Sequence, residues 1–419
     1  MDTRDVVIVG GGIFGCAIAW HLQERGVTDI SLIERDGLFS GTSSAAAGFI
    51  SIWAVSAATQ GAEEARLERY GLEFYAALHA RNEIDFRQNG LLWVAGNEVS
   101  WSHMQSMVAH PEEPSTHRLD PVQVQEITGG VVPAGRILGG VLQPTAGQLS
   151  ASKVGPAMAE ELSRGGLRVD AHCSVLSLVV RQGRVVGVET SVGYIATERV
   201  VIAAGAWSNA LLEPHGIYLP MVPHVATRLM TRPLEIPVSM PALFLTGIAP
   251  DGQSGNVLWV RQHEGGLVFG GMYTAYPRDM FVETTVPARF DDVPIDGALE
   301  VQRRADLALP MLPAFSRRSG LKVKQGVPLY TPDRRLLAGA VPGIDGLYVA
   351  SGDNEFGMTH GPGLGRAMAE HITGHAGEPW VGLEQWRMDR FGKRYSNAAQ
   401  VQHDVEKMLR ESNDGFTLT

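Results

Sequence analysis

The stretch that decides the fold is Val6–Gly15, VVIVGGGIFG, in a chain of 419 residues. Its apolar first half is typical of a fully buried parallel strand, and the glycines that follow predict a tight turn. The residues Ile13–Glu24 predict a helix closed by Gly26, and Ile30–Ile33 predicts a second strand. In this order the elements form a βαβ unit with short connections.

Gly10, Gly12 and Gly15 match the pattern G-x-G-x-x-G. The first permits the turn, the second lets the backbone approach a pyrophosphate, and the third lets the helix pack on the strand. Glu34, at the end of the second strand, is placed to bind a ribose hydroxyl, although the adjacent Arg35 leaves a surface ion pair open. With the helix N-terminus as a phosphate site, the predicted nucleotide contacts are Gly10, Gly12, Ile13, Phe14, Gly15, Glu34 and Arg35.

The composition argues against several other classes of protein. Lys and Arg number 35 against 45 Asp and Glu, so the formal net charge is −10, and no basic run predicts a nucleic-acid partner. Cys16 and Cys173 lie in unrelated segments, so we expect no metal site and a reducing compartment. The early apolar stretch Val6–Trp20 is too short to cross a bilayer, and we expect no signal peptide, which predicts a cytoplasmic protein.

The middle of the chain, from about Met221 to Phe290, changes to alternating runs such as Val257–Gln262 and Leu267–Gly271. Such runs predict an antiparallel sheet inserted into the first domain. The predicted fold is α/β, a discontinuous Rossmann-type dinucleotide-binding domain with an inserted α+β substrate domain built on an antiparallel sheet. The predicted segments are 1–85, 146–215 and 326–391 for the first domain, 86–145 and 216–325 for the second, and 392–419 for a C-terminal helix and tail.

Four further segments carry a resemblance to a known family. Gly41–Gly48 is rich in small and hydroxyl residues, Val200–Ser208 is a strand that runs into glycine, and Gly346–Gly352 precedes the glycine-rich Gly357–Gly365. With Val6–Gly15, and in this order, they resemble the FAD-dependent D-amino acid oxidase, sarcosine oxidase and dimethylglycine dehydrogenase superfamily, which has a glutathione-reductase-type Rossmann fold. The resemblance implies FAD as cofactor, with contacts at Thr42, Ser43, Ser44, Ala47, Gly48, Val175, Ala204, Gly205, Trp207, Gly352, Gly357, Met358 and Thr359.

The resemblance also implies how the flavin is held. Relatives of the dimethylglycine dehydrogenase type carry the flavin on a histidine where Ala45 stands, and neither cysteine lies near Gly357, so we expect FAD to be non-covalent. A helix from Leu364 to Thr373 is predicted after the glycine run. Its N-terminus, near Gly363, would face the pyrimidine side of the flavin and stabilise the anionic reduced form.

The reaction that the resemblance implies is hydride transfer from a carbon next to nitrogen to the flavin N5 atom, for which no dedicated acid or base is needed. We predict that Arg261, Tyr330 and His360 act at the substrate. Arg261 would hold a carboxylate, or be an ordinary sheet-face arginine. D-amino acid dehydrogenases carry an arginine before the motif Thr331–Asp333, but Pro328 stands at that place here, so the resemblance implies that this carboxylate anchor is absent. The neighbouring Tyr330 resembles the sarcosine-type pattern. His360, like His224, would border the flavin or be structural.

Two further groups of residues are candidates for the pocket. Tyr273 and Tyr276 would line it or belong to the core. The loop Asp353–Phe356 departs from relatives, which usually carry neutral or histidine residues beside the flavin. Its acids, Asp353 and Glu355, could bind a cationic amine or belong to a solvated turn.

The sequence therefore predicts an enzyme that oxidises the C–N bond of a primary or secondary amine, with an amino acid or N-alkyl amino acid as substrate. The imine would hydrolyse, and oxygen or another acceptor would take the electrons. Two alternatives remain open. One is a flavin monooxygenase, because Gly352–Asp353 and Gly361–Gly363 faintly resemble the aromatic-hydroxylase motif, and the other is a flavin-binding subunit of a larger dehydrogenase. A homo-oligomer is also compatible with the sequence.

Overall fold

The run Val6–Val9 lies inside a six-stranded sheet in the computed structural model, which describes residues 2–56, 61–249, 257–271, 286–374, 377–395 and 398–415. All four side chains of the run are buried, which explains why it is apolar throughout instead of alternating. In spatial order the strands of this nucleotide sheet are Leu337–Ala340, Leu347–Ser351, Val200–Ile202, Val6–Val9, Ile30–Glu34 and Arg168–Ala171. Neighbouring strands are parallel, except for the antiparallel pair formed by the first two.

A second, eight-stranded sheet forms the floor of the substrate domain. In spatial order the strands of this platform sheet are Lys322–Gly326, Ala226–Met230, Gly266–Gly271, Leu258–His263, Ala242–Thr246, Leu91–Ala95, Gly139–Gln143 and His117–Leu119. Its neighbours are antiparallel, except that Ala242–Thr246 and Leu91–Ala95 run parallel. The antiparallel insertion predicted from the alternating runs is therefore present, and the exact domain limits stay a prediction.

Smaller sheets complete the strand content of the described residues. A four-stranded sheet contains, in spatial order, Asp2–Thr3, Gly193–Ala196, Arg184–Thr190 and Val175–Arg181. Two-stranded pairs join Phe49–Ile50 to Gly147–Gln148 and Val222–Pro223 to Leu329–Tyr330.

Helices cover the nucleotide sheet. Ile13–Glu24 packs against Gly357–Thr373, which also contacts Ala62–Arg81. The other α-helices of the described residues are Glu98–Met104, Pro121–Ile127, Ala151–Arg164, Ser208–Leu212, Ala298–Leu307 and Ala398–Gly415. Short 3₁₀ turns that matter for the site lie at Thr42–Ala45, Trp53–Ser56 and Gly205–Trp207.

One predicted helix begins earlier than expected. We predicted Leu364–Thr373 after a glycine-rich turn, but the helix begins at Gly357 and contains Pro362. Its glycines are contact points, because a Cβ on Gly363 or Gly365 would collide with the backbone of the neighbouring helices. Close helix packing explains residues that on propensity alone favour a turn.

The architecture is the α/β fold that the sequence predicts, with a Rossmann-type sheet fed by separated segments of the chain. Across the described ranges, no helix is both long and apolar enough to span a membrane. Tyr273 and Tyr276 lie outside the described residues.

Candidate active site

A cavity of about 520 Å³ is lined by residues of both large sheets. It extends from the Gly10–Phe14 turn, along the 42–48 loop, to the aromatic side chains of the platform sheet and the first turn of the Gly357–Thr373 helix. Of the predicted cofactor contacts, those that line it are Gly10, Gly12, Ile13, Phe14, Glu34, Arg35, Thr42, Ser43, Ala47, Gly48, Val175, Ala204, Gly205, Trp207, Gly357, Met358 and Thr359. Gly15, Ser44 and Gly352 do not line it.

The glycine turn has no room for side chains. A Cβ on Gly10 would collide with the carbonyl of Ala203, and one on Gly15 would collide with the carbonyl of Gly10. Gly12 differs, because its Cβ would meet only the Ser43 Oγ, at 3.1 Å, on the cavity side. The Ser43 hydroxyl in turn accepts the Ile13 N–H at 3.0 Å. The turn therefore offers bare backbone and a helix N-terminus to a pyrophosphate.

Glu34 and its neighbours lie beside the glycine turn, at the nucleotide end of the cavity. The Glu34 carboxylate accepts the Gly11 N–H at 2.7 Å and the Asp36 N–H at 2.9 Å, which fixes it beside the cavity with lone pairs left for a ribose. Arg35 forms an ion pair with Asp36 at 3.2 Å and lies over the Trp207 ring at 4.7 Å. This cation–π pair gives the nucleotide end of the cavity a flat aromatic surface.

The 42–48 loop is held down by side chains from the platform sheet and its surroundings. Thr42 Oγ1 accepts the Val327 N–H at 2.9 Å. The Ser44 carbonyl accepts bonds from Lys324 Nζ at 2.8 Å and from Arg228 Nη2 at 3.3 Å. The Ala47 carbonyl accepts the Arg261 Nε–H at 2.6 Å. The loop that small residues predicted as a flavin contact is thus anchored by cations.

The first turn of the Gly357–Thr373 helix lies at the cavity. The N–H groups of Gly357, Met358 and Thr359 have no acceptor within the helix, as in any first turn, and these residues line the cavity. Thr359 Oγ1 donates to the Phe49 carbonyl at 3.2 Å and accepts the Trp53 Nε1–H at 3.3 Å. The positive end of the helix dipole therefore lies at the cavity, and the helix begins at Gly357 instead of near Gly363. Its predicted role at the flavin stays a prediction.

Aromatic side chains enclose the far end of the cavity. Trp53 lies 5.4 Å from Phe356 and 5.6 Å from Phe244, and Phe244 lies 4.4 Å from Trp93, between ring centroids. Phe49 meets Trp259 edge-on at 5.3 Å. All of them line the cavity, which gives this chamber apolar faces that can hold alkyl groups or an amine.

Several of these side chains belong to one line of residues across the platform sheet. Pairing places six residues directly opposite one another on consecutive strands, in the order Lys324, Arg228, Gly270, Trp259, Phe244 and Trp93. Directly opposite residues share a face of the sheet. A Cβ on Gly270 would collide with the Trp259 ring, so the indole lies over the glycine. We call these six residues the cross-strand row.

We predicted that Arg261, Tyr330 and His360 act at the substrate. None of them is among the described residues that line the cavity. Arg261 is buried, and its guanidinium is bonded to the Ala47 and Gln262 carbonyls at 2.6 and 3.1 Å. His360 is buried with its Nε2 3.2 Å from Glu68 Oε1. Tyr330 is buried against His224, with ring centroids 4.5 Å apart. Their predicted roles stay predictions.

His224, the other candidate histidine, lies outside the cavity lining as well. Burial lowers the pKa of His224 to about 3, so it is neutral at physiological pH. Its place beside Tyr330 fits the structural interpretation that the sequence left open.

The loop acids do reach the cavity. Asp353 and Glu355 are half-buried and line it, just before the Gly357–Thr373 helix. Burial raises the pKa of Asp353 to about 6, although a hydrogen bond from the Leu329 N–H opposes the rise. Burial also raises the pKa of Glu355 to about 7, with Asp353 adding to the rise and a bond from Tyr330 opposing it. These acids are therefore more than a solvated turn.

The sequence did not single out Arg228, Lys324 or the aromatic residues of the chamber. Arg228 interrupts the apolar strand Ala226–Met230, all of whose side chains are at least half-buried, and a charged residue in such a strand is a usable signal. Which residues stand opposite Arg228 in the cross-strand row is known only once the register of the strands is known. Within the described parts of the chain no cluster of His, Cys, Asp and Glu could hold a metal ion.

The cavity fits FAD. A bare glycine turn at a helix N-terminus, an acid at the end of the second strand, and a second helix N-terminus beside a chamber define the class of dinucleotide-binding oxidoreductases. Residues 5–371 match the family described as FAD dependent oxidoreductase (DAO), and the chain belongs to that family. The family is FAD-dependent.

Relatives agree with this assignment. The chain is 27% identical over 406 residues to 4-methylaminobutanoate oxidase (formaldehyde-forming) of Paenarthrobacter nicotinovorans, covering 93% of this chain and 46% of that protein. It is also 27% identical over 413 residues to the mitochondrial pyruvate dehydrogenase phosphatase regulatory subunit of Mus musculus, covering 96% and 45%. The chain thus spans about half the length of these curated relatives. L-proline dehydrogenase from P. horikoshii has a similar fold, with a TM-score of 0.77, 20% identity and 93% and 98% coverage.

Proposed function

We propose that this protein oxidises the C–N bond of a primary or secondary amine or amino acid, with N-alkyl amino acids as the favoured substrates. The observation that carries the proposal is that one cavity contains both the predicted FAD site and a chamber with aromatic walls. The chamber is also lined by the buried Arg228 and by the acids Asp353 and Glu355. Bound FAD supplies a two-electron acceptor of hydride. The substrate loses a hydride and a proton, and water hydrolyses the resulting imine to a carbonyl compound and an amine.

The residues of the chamber have separate tasks in this proposal. Trp53, Trp93, Phe244 and Trp259 exclude water and hold the alkyl groups next to the reacting carbon. Hydride leaves readily only from the neutral amine, and the carboxylates of Asp353 and Glu355 can take up the ammonium proton when they are ionised. FAD is held without a covalent bond in this proposal, because the resemblance puts the tethering histidine of relatives at position 45, and this chain has Ala45 there, on the cavity wall.

Anaerobic mixing of the holoenzyme with a panel of amines tests the proposal. The panel should contain α-amino acids, their N-methyl forms, N-methyl ω-amino acids and the matching amines that lack a carboxylate. At least one should bleach the flavin absorbance and yield the expected carbonyl product. The same panel, repeated with NADPH and oxygen present, tests the monooxygenase alternative. A hydroxylase would consume NADPH when its substrate is added, whereas an amine oxidase would not. Failure of every amine to bleach a flavin that dithionite reduces would overturn the proposal.

A second candidate is a regulatory or flavin-binding subunit without turnover of its own. It is favoured by the similarity to a phosphatase regulatory subunit along 96% of the chain. Flavin that no amine reduces, combined with co-purification of a defined partner enzyme whose activity changes on binding, would support this candidate over amine oxidation.

A further inference from the structure

Three cationic side chains lie beneath the 42–48 loop. Arg228 and Lys324 donate to the same carbonyl, that of Ser44, and Arg261 donates to the carbonyl of Ala47. Arg228 is 6% exposed and Arg261 is 3% exposed. Three positive charges therefore share one small and largely buried volume.

The charged groups that act most strongly on Arg228 and Lys324, among the residues that the structure describes, are other cations. Burial and the neighbouring Arg261 lower the pKa of Arg228 to about 9. Burial and Arg228 lower the pKa of Lys324 to about 8. A buried charge without a counter-charge is costly, and a bound anion removes that cost. Among the described residues Arg228 and Lys324 donate to a backbone carbonyl and to no carboxylate, whereas Asp85 also acts on Arg261, so Arg228 and Lys324 are the pair whose charge a bound anion would balance.

The position of Arg228 decides where such an anion would lie. Of the three cations, Arg228 is the one that lines the cavity. In the cross-strand row it is separated from Trp259 by Gly270, which carries no side chain, and the Trp259 indole fills the space over that glycine. The cation and the aromatic faces therefore adjoin in a single chamber. A molecule with an anionic group at one end and alkyl groups at the other matches this order.

We propose that Arg228, assisted by Lys324, is an anion-binding site that holds the carboxylate of the substrate at the end of the cross-strand row. The inference rests on the proposed function, because it treats the chamber as the substrate site. The planar guanidinium can donate two parallel N–H bonds to a carboxylate, and the Lys324 ammonium adds a positive charge behind it. The site takes over the task that we predicted for Arg261, which is occupied by backbone carbonyls.

Ligand titrations of the holoenzyme test the site without turnover. Acetate and its uncharged analogue acetamide are titrated in parallel, and binding is followed by the change in flavin absorbance. Arg228→Gln should weaken acetate binding about 10- to 100-fold, as expected for a lost charge-assisted hydrogen bond, and leave acetamide unchanged. Arg228→Lys should give an intermediate affinity, because it keeps the charge but not the fork. Arg118→Gln removes an exposed arginine from the same sheet and should bind acetate like the wild type.

The same variants separate the two sources of the anion. The reduced flavin is also anionic, so FAD affinity and flavin midpoint potential are measured without substrate. If acetate binding is unchanged in Arg228→Gln, the proposal is overturned, and a lowered potential would then assign the anion to the flavin. If Arg228→Gln does not load FAD, Arg228→Lys decides, with a loss of acetate affinity supporting the site and an unchanged affinity rejecting it. Acetate binding that depends on Arg228 in a protein that no amine reduces would leave the site intact and reject the proposed function.

Discussion

At the scale of single residues, Gly12 tests the FAD assignment most directly. Gly12→Asp should strongly weaken FAD binding, because its side chain would displace the Ser43 hydroxyl and place a negative charge at the pyrophosphate position. FAD affinity of the apoprotein, measured by quenching of flavin fluorescence, should fall at least about 100-fold, or roughly 3 kcal/mol. The matched control is Gly37→Asp, which adds the same charge where a Cβ meets open space. Normal FAD binding by Gly12→Asp would show that the glycine turn is not the pyrophosphate site.

Asp353 and Glu355 should make the flavin potential depend on pH. Both lie at the cavity, and since their pKa values are raised to about 6 and about 7, they are protonated near pH 5 and ionised near pH 8.5. Negative charge near the flavin disfavours its anionic reduced form, so ionisation lowers the midpoint potential. The double variant Asp353→Asn with Glu355→Gln should therefore raise the potential by roughly 30 mV at pH 8.5 and hardly change it at pH 5.

Redox titration at the two pH values checks this prediction. Asp345→Asn serves as the control, because Asp345 is an exposed acid in the turn before the Leu347–Ser351 strand. It should leave the potential unchanged at both pH values. A shift of the same size at pH 5 and pH 8.5 would mean that the acids do not titrate in this range, and no shift at either would place them too far from the flavin to matter.

The sequence predicted residues whose role is set by local backbone geometry better than residues whose role depends on strand pairing. Gly10, Gly12 and Glu34 lie at the cavity because the turn and the end of the second strand place them there. Arg261 and Arg228 lie on the same face of one sheet, and only their positions along the paired strands and the loop above them decide which one lines the cavity. Such long-range pairing has no local pattern in the chain.

At the scale of elements, the Gly357–Thr373 helix depends on close packing. A Cβ on Gly365 would lie 2.6 Å from the carbonyl carbon of Ala17, so the two helices would have to separate. Gly365→Ala should therefore lower the free energy of unfolding by about 1–3 kcal/mol, in spite of the better helix propensity of alanine, and should weaken FAD binding. Urea unfolding measures the first effect and flavin fluorescence the second.

Gly135→Ala is the control for this helix prediction, because a Cβ there meets no atom within 4 Å. It should leave both the urea midpoint and FAD affinity close to those of the wild type. If Gly365→Ala were as stable as Gly135→Ala, the glycines of this helix would not be packing positions, and the close approach to the Ile13–Glu24 helix would lose its support.

The bounds of helices with a regular apolar pattern were predicted well, but the start of the Gly357–Thr373 helix was not. Ile13–Glu24 begins and ends where the sequence predicts. The Gly357–Thr373 helix begins seven residues before the predicted Leu364. The prediction placed its start too late because the first two turns contain glycines and Pro362, residues that disfavour a helix in isolation. Tertiary packing against two neighbouring helices stabilises a segment that its own propensity would leave as a loop.

At the scale of the whole molecule, the sequence predicted that one large sheet is mainly parallel and the other antiparallel, but it did not predict the order of their strands. Apolar runs indicated parallel strands and alternating runs indicated antiparallel ones, and both sheets are present. The platform sheet contains residues 91–95 and 322–326, which are far apart in the chain, with four other strands between them. The chamber is built from such contacts, which explains why its aromatic side chains could not be assigned from the sequence.

Because the cavity is lined by both sheets, FAD should stabilise the whole fold and not one domain alone. A ligand that binds only the native state adds RT ln(1 + [L]/Kd), about 2.7 kcal/mol at 100 times Kd. Added to the apoprotein, FAD should therefore raise the melting temperature in proportion to the logarithm of its concentration. Circular dichroism would follow the entire chain, and the protection of backbone amides in residues 91–95 and 258–263 against hydrogen exchange, measured over the same temperatures, would follow the platform sheet. The two transitions should move together, whereas Gly12→Asp should show no dependence on FAD. A platform-sheet transition that stays fixed while the circular dichroism transition rises would mean that FAD contacts only the nucleotide sheet, and the substrate chamber would then not be coupled to the cofactor.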